Sequence, residues 1–177
     1  MRKELLGHFL AAFVFCLLVI VAKGWFDFPY LSIFLGAALG TILPDIDHII
    51  YVYFLQPQEL TSQRVNYMVG KKDFWGALRL LAETRSERKE LIFHTVFFQL
   101  IFLILTFFVI TSTGSVFGRG IVLAFSLHLL MDQLVDLRQM GSLENWFYNS
   151  PLKIAADKNK LYLWLVGAVL LIFGIFL

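Results

Sequence analysis

The chain has 177 residues, a formal net charge of +2, and a composition that is 59% hydrophobic and 16% aromatic, well above the roughly 45–50% apolar content of soluble domains. That excludes a soluble globular protein. The basic residues flank apolar runs instead of forming a groove-binding stripe, so a nucleic-acid partner is excluded too. We expect an all-α integral membrane protein, a single transmembrane helical domain over residues 1–177 with no linker or internal repeat dividing it.

The first apolar run, residues 4–23, follows Met1-Arg2-Lys3 and has the outline of a signal peptide. It carries His8, however, and has no small-residue cleavage site before Lys23, so it reads as an uncleaved first helix. Cys16, the single cysteine, lies inside this run and reads as a packing residue without a disulfide partner. The second span covers residues 30–55 and is interrupted at Pro44. In the polar stretch 56–90, Phe74, Trp75, Leu78, Leu81 and Ala82 recur at helical spacing against Lys72, Arg79 and Glu83. This predicts an amphipathic helix on the cytoplasmic membrane surface. Spans three, four and five cover residues 91–110, 117–137 and 161–177, the last being short. Each approaches the roughly 20 residues needed to cross the hydrocarbon core.

Every Lys and Arg except Lys23 and Arg119 falls before span one, between spans two and three, or between spans four and five. With five crossings these stretches share one face, which the positive-inside rule makes cytoplasmic. The N-terminus is then inside, the C-terminus outside, and the bundle a multi-pass inner-membrane protein. Trp25 and Tyr30 suit the opposite interface.

Ionisable groups within a bilayer are costly, about 2.5–3.5 kcal/mol for a central charge on insertion scales, and so mark sites. All four histidines fall at a similar depth near the cytoplasmic end. His8 and His94 each lie about 6 Å inside their borders at 1.5 Å per residue. Asp45, Asp47 and His48 follow Pro44, while His128 and Asp132 precede Arg138. Asp45 and His48 at i, i+3, and His128 and Asp132 at i, i+4, each share a helix face and could close on one ion. Imidazole and carboxylate ligands suit zinc first, and also manganese or iron. Seven residues, His8, Asp45, Asp47, His48, His94, His128 and Asp132, are enough for one ion or two. Asp47 lies about 200° from Asp45 on an ideal helix, which leaves it as a second-metal ligand or a catalytic base. Asp136 either pairs with Arg138 or continues the face of Asp132, and the basic run from Arg85 to Lys89 reads as a cytoplasmic flank attracting anionic lipid. The phenylalanines read as lipid-facing or packing residues.

The run Leu43-Pro44-Asp45-Ile46-Asp47-His48, preceded by Gly36-Ala37-Ala38-Leu39-Gly40, resembles the PDxDH signature of the predicted membrane-bound metal-dependent hydrolases, which include the LexA-binding inner-membrane proteins. His8, His94-Thr95 and the HxxxD element from His128 to Asp132 follow in the family's order, and the resemblance covers about residues 1 to 150. Around His94 the chain departs from the pattern. Lys89 and Glu90 stand at the family's His-Arg pair, Phe93 at a threonine and Thr95 at a serine. The family's distant similarity to zinc-dependent phospholipase C implies phosphoester hydrolysis.

The expected function is therefore a membrane-embedded metal-dependent hydrolase acting on a phosphoester or lipid-like substrate at the cytoplasmic leaflet, with stretch 72–83 as a lid. Its rivals are a non-enzymatic metal-binding or transport protein and a b-type haem carrier. Transport predicts polar groups continuing through the midplane, and a haem pocket has no use for paired carboxylates.

Overall fold

Apolar runs of this length fold as helices because in lipid the backbone must satisfy its own hydrogen bonds. The computed structural model describes residues 2–112, 114–148, 150 and 155–177; of Arg2, Lys3, Ser86 and Ala156 only the backbone is described. Among these residues there are helices and no strands: α1 Arg2–Lys23, α2 Ser32–Ile42, α3 Ile46–Ile50, α4 Leu60–Gly70, α5 Phe74–Glu83, α6 Val96–Ser112, α7 Val116–Met140 and α8 Asn159–Phe176. Four helical stretches are long and apolar enough to cross a membrane, Glu4–Lys23, Phe28–Leu55, Val116–Met140 and Asn159–Phe176. The remaining expected span forms a shorter apolar helix, Val96–Ser112, of 17 residues.

The second stretch is not one regular helix. Leu43–Asp45 tightens into a 3-10 turn at Pro44, α3 follows, and Tyr51–Leu55 widens into a π-helical turn. Proline removes one amide donor and clashes with the preceding turn, so Asp45, Asp47 and His48 emerge where the helical ladder is broken.

The most enclosed helix is α7, which packs against α1, α2, α6 and α8. Its approach to α2 is backbone to backbone. A Cβ added at Gly40 would lie 2.2 Å from the Ile121 carbonyl oxygen, and one at Gly120 would lie 2.4 Å from that of Ile33. Small residues allow such contact, which drives helix association where no hydrophobic force acts between helices. Around this seam Ile33, Cys16, Leu123, Leu129, Val166 and Leu170 form the apolar core.

The polar stretch between spans folds as a hairpin of α4 and α5 instead of the single expected helix. Val65 and Ala77 pack with Val52 in a second small core, joined by Met68, Val69, Leu80 and Leu81. Asp73 caps α5 by accepting the Gly76 amide at 2.8 Å. Phe74, Trp75 and Leu78 remain exposed along the outer side of α5.

Span three begins later than its hydropathy suggests. Helix α6 starts at Val96, and residues 88–95 run without helical structure, so His94 stands on an irregular segment and not one turn inside a helix. The cause is a tertiary contact with a local cap: Asp47, on α3, takes the amides of Ile92, Phe93 and His94, and Thr95 Oγ1 accepts the Phe98 amide at 3.2 Å.

Candidate metal centre

Helices α1 and α7 and the segment before α6 bring three imidazoles onto one buried carboxylate, Asp132. His8 Nε2 lies 2.9 Å from Asp132 Oδ1; His94 Nε2 and His128 Nε2 lie 2.9 Å and 3.2 Å from Oδ2. All four residues are buried. The i, i+4 spacing of His128 and Asp132 on α7 turns both inward together.

The other nitrogen of each ring decides the chemistry. His8 Nδ1 donates to the Glu4 carbonyl at 2.7 Å, and His128 Nδ1 to the Thr41 carbonyl at 2.7 Å. A carbonyl oxygen only accepts, so Nδ1 carries hydrogen in both rings. His94 Nδ1 faces Asp47 Oδ2 at 3.1 Å, the same arrangement with a carboxylate as acceptor. In neutral rings the three Nε2 lone pairs would confront carboxylate oxygens, which is stable only with positive charge between them, as protons or as a metal ion. Metal-binding histidines characteristically donate their second ring N–H to a carbonyl or carboxylate, which fixes the tautomer. Ligand atoms of His8, His128 and Asp132 all lie within 4.8 Å of one another, and these three could hold a metal ion. His128 Nε2 is buried without a hydrogen-bond partner.

The other three residues singled out from the sequence lie around this core. Asp45 is at its edge, its side chain 44% exposed, with Oδ1 3.6 Å from His128 Nε2. His48 stacks on His94, ring centroids 5.0 Å apart, and its Nδ1 is buried without a partner. Asp47 is fully buried and meets His94 at Nδ1, the ring nitrogen opposite the one that meets Asp132. Oδ1 accepts the Ile92 amide at 3.0 Å, and Oδ2 accepts those of Phe93 at 2.6 Å and His94 at 3.1 Å. A carboxylate so engaged anchors the segment that presents His94.

Arg85, expected in a cytoplasmic flank that attracts anionic lipid, instead reaches two buried carboxylates. Its Nη1 donates to Asp132 Oδ1 at 2.8 Å and its Nε lies 2.8 Å from Asp136 Oδ1. Asp136 therefore pairs with Arg85 and not with Arg138, and it also accepts from Trp146 Nε1 at 2.7 Å. Burial disfavours the Arg85 charge, but the two carboxylates outweigh it and hold the guanidinium more firmly protonated than usual. The basic charge is drawn inward because two buried carboxylates need it. Gly141, in the left-handed conformation at φ 72°, ends α7 and turns the chain so that Trp146 packs 5.5 Å from the His94 ring.

Beside Asp132 on α7, Gln133 meets Gln99 of α6 and Tyr162 of α8. Gln133 Nε2 donates to Gln99 Oε1 at 2.7 Å, Gln99 Nε2 to Gln133 Oε1 at 3.2 Å, and the Tyr162 hydroxyl to Gln99 Oε1. Reciprocal amides of this kind satisfy each other in an apolar interior. No family model, no curated protein and no solved structure matches this chain.

Proposed function

We propose that the chain is a membrane-embedded metal-dependent hydrolase acting on a phosphoester or lipid-like substrate at the cytoplasmic leaflet of the inner membrane. One observation carries the reading: three imidazoles, each with Nδ1 held by an acceptor, turn Nε2 toward one buried carboxylate. The resemblance of residues 43–48 to the PDxDH signature supports the same chemistry. His8, His128 and Asp132 would hold a divalent ion, zinc first and manganese or iron next, with His94 beside them on Asp132 Oδ2, and a second ion would draw on Asp45 and His48. When bound, such an ion lowers the pKa of a coordinated water from about 15.7 toward 7.

The protein's own groups then divide the work. Asp45, with its half-exposed carboxylate beside His128, takes the proton from the attacking water. Asp47, the candidate base from the sequence, positions His94 instead, because its oxygens are already engaged. Arg85 orients Asp132 and neutralises Asp136. The exposed outer face of α5, with Phe74, Trp75 and Leu78, rests on the lipid surface.

Elemental analysis of protein purified without chelator tests the reading. Stoichiometric metal is expected in the wild type, with a loss of affinity above about 100-fold in His128→Ala, since second-shell losses alone reach 10–100-fold. Asp45→Asn should keep the metal and lose about 10²–10⁴ in rate on phosphoester substrates in nanodiscs. A wild-type protein that retains no metal overturns the proposal. The second reading, non-enzymatic metal binding or transport, draws on the buried Thr106–Ser126 contact, 3.1 Å between hydroxyls, which extends polar groups along α6 and α7 beyond the glutamines. Metal uptake into sealed vesicles without hydrolysis would favour it.

A further inference from the structure

Arg88 is buried, yet among the described residues no carboxylate stands within ion-pair distance of it. Its Nη1 donates to Thr84 Oγ1 at 3.0 Å and its Nη2 to the Leu81 carbonyl, both neutral acceptors, while Nε is buried with no acceptor at all. Buried charges are ordinarily paired. Burial, and then the neighbouring Arg85 charge, pull the Arg88 pKa down to about 10, so the guanidinium stays protonated at neutral pH while lacking a counter-ion.

This side chain lines a pocket together with Arg85, Lys89, His48 and His94, directly beside the cluster on Asp132. Asp136 also lines it, but that carboxylate is committed to Arg85 and Trp146. Arg85 is likewise committed to Asp132 and Asp136. What remains is the charge of Arg88 in the wall and of Lys89, exposed at the mouth, with His48 Nδ1 buried and unpartnered nearby. Two uncommitted cations and an unpartnered ring nitrogen match a group with several acceptor oxygens and up to two negative charges, which describes a phosphate better than a singly charged carboxylate.

We infer that this pocket binds the phosphate group of a substrate or product, with Arg88 as its principal anchor and Lys89 at its entrance. Its meaning as a substrate pocket rests on the hydrolase reading, but the binding itself does not need the metal. The anion would lie against His48 and His94, next to the atoms that converge on Asp132. Arg88 is here a binding residue, and Arg85 a positioning residue that keeps Asp136 from repelling the anion.

The test uses the full chain in a maltoside detergent after chelator treatment, with inorganic phosphate as the probe and titration calorimetry as the readout. Wild-type protein should bind phosphate saturably. Arg88→Gln should weaken binding at least tenfold, Lys89→Gln several-fold, and Arg79→Gln, on the exposed side of α5, not at all. Lys89 is exposed, so its variant keeps the test meaningful should Arg88→Gln fail to fold, and Arg88→Lys should keep part of the affinity. No binding by the wild type, or equal binding by the Arg88 and Lys89 variants, overturns the inference. Displacement of phosphate by short-chain phosphatidic acid at lower concentration than by glycerol phosphate assigns the pocket to a lipid headgroup; the reverse order assigns it to a soluble ester, and displacement by neither overturns it. Phosphate binding by a chain that never takes up metal would sink the hydrolase reading alone, while metal uptake without phosphate binding would sink the pocket alone.

Discussion

Replacing Gly40 by alanine probes how the α2–α7 seam supports the metal centre. The new Cβ would stand 2.2 Å from the Ile121 carbonyl oxygen, where real contacts of this kind begin at 3.0 Å, so the two backbones must part by 0.8 Å at that point. Neither side can yield by rotating a side chain. Overpacking of this kind typically costs about 1–3 kcal/mol. The next residue, Thr41, supplies the carbonyl that takes His128 Nδ1 at 2.7 Å. The same separation stretches that bond to about 3.5 Å, beyond the range of a good N–H···O bond. His128 then loses the acceptor that fixes its tautomer, and metal affinity should fall about 10–100-fold. Thermal unfolding in detergent, with a metal titration against a competing chelator, measures both effects. Gly7→Ala is the control, since a Cβ there meets nothing within 4 Å although it adjoins His8. If Gly40→Ala matches Gly7→Ala in both stability and metal affinity, the coupling of seam to site is refuted.

Asp47→Asn should cost about 1–3 kcal/mol, because an amide nitrogen would face backbone donors now satisfied by carboxylate oxygen; unfolding curves check this. Its metal affinity should drop about 10–100-fold through a looser His94, and unchanged stability would remove Asp47 from its anchoring role. For topology, five crossings with the N-terminus inside predict that a C-terminal reporter is active only outside the cytoplasm, and cytoplasmic activity would require an even number of spans.

Hydropathy alone located the long apolar helices, though not α4 or the late start of α6, because apolar runs that could enter lipid have few alternatives to helix. Counting residues from the charged borders brought His8, His128 and Asp132 together, since helical rise converts sequence position into distance along a helix; His94 joins them from an irregular segment where that conversion does not apply. The spacing of Gly36 and Gly40 carried a further signal, for small residues four apart suit close helix contact. The irregular segments were not open to this kind of reading. Nothing periodic marks Asp47 as the acceptor for amides at Ile92, Phe93 and His94, or Asp136 as the partner of Arg85 and Trp146. Basic residues in a polar stretch read as a solvated flank whichever way they point. Only the tertiary structure decided that Arg85 and Arg88 turn inward, because Arg85 follows the buried carboxylates that α7 sets beside it and Arg88 folds back on the Leu81 carbonyl and Thr84 hydroxyl at the end of α5.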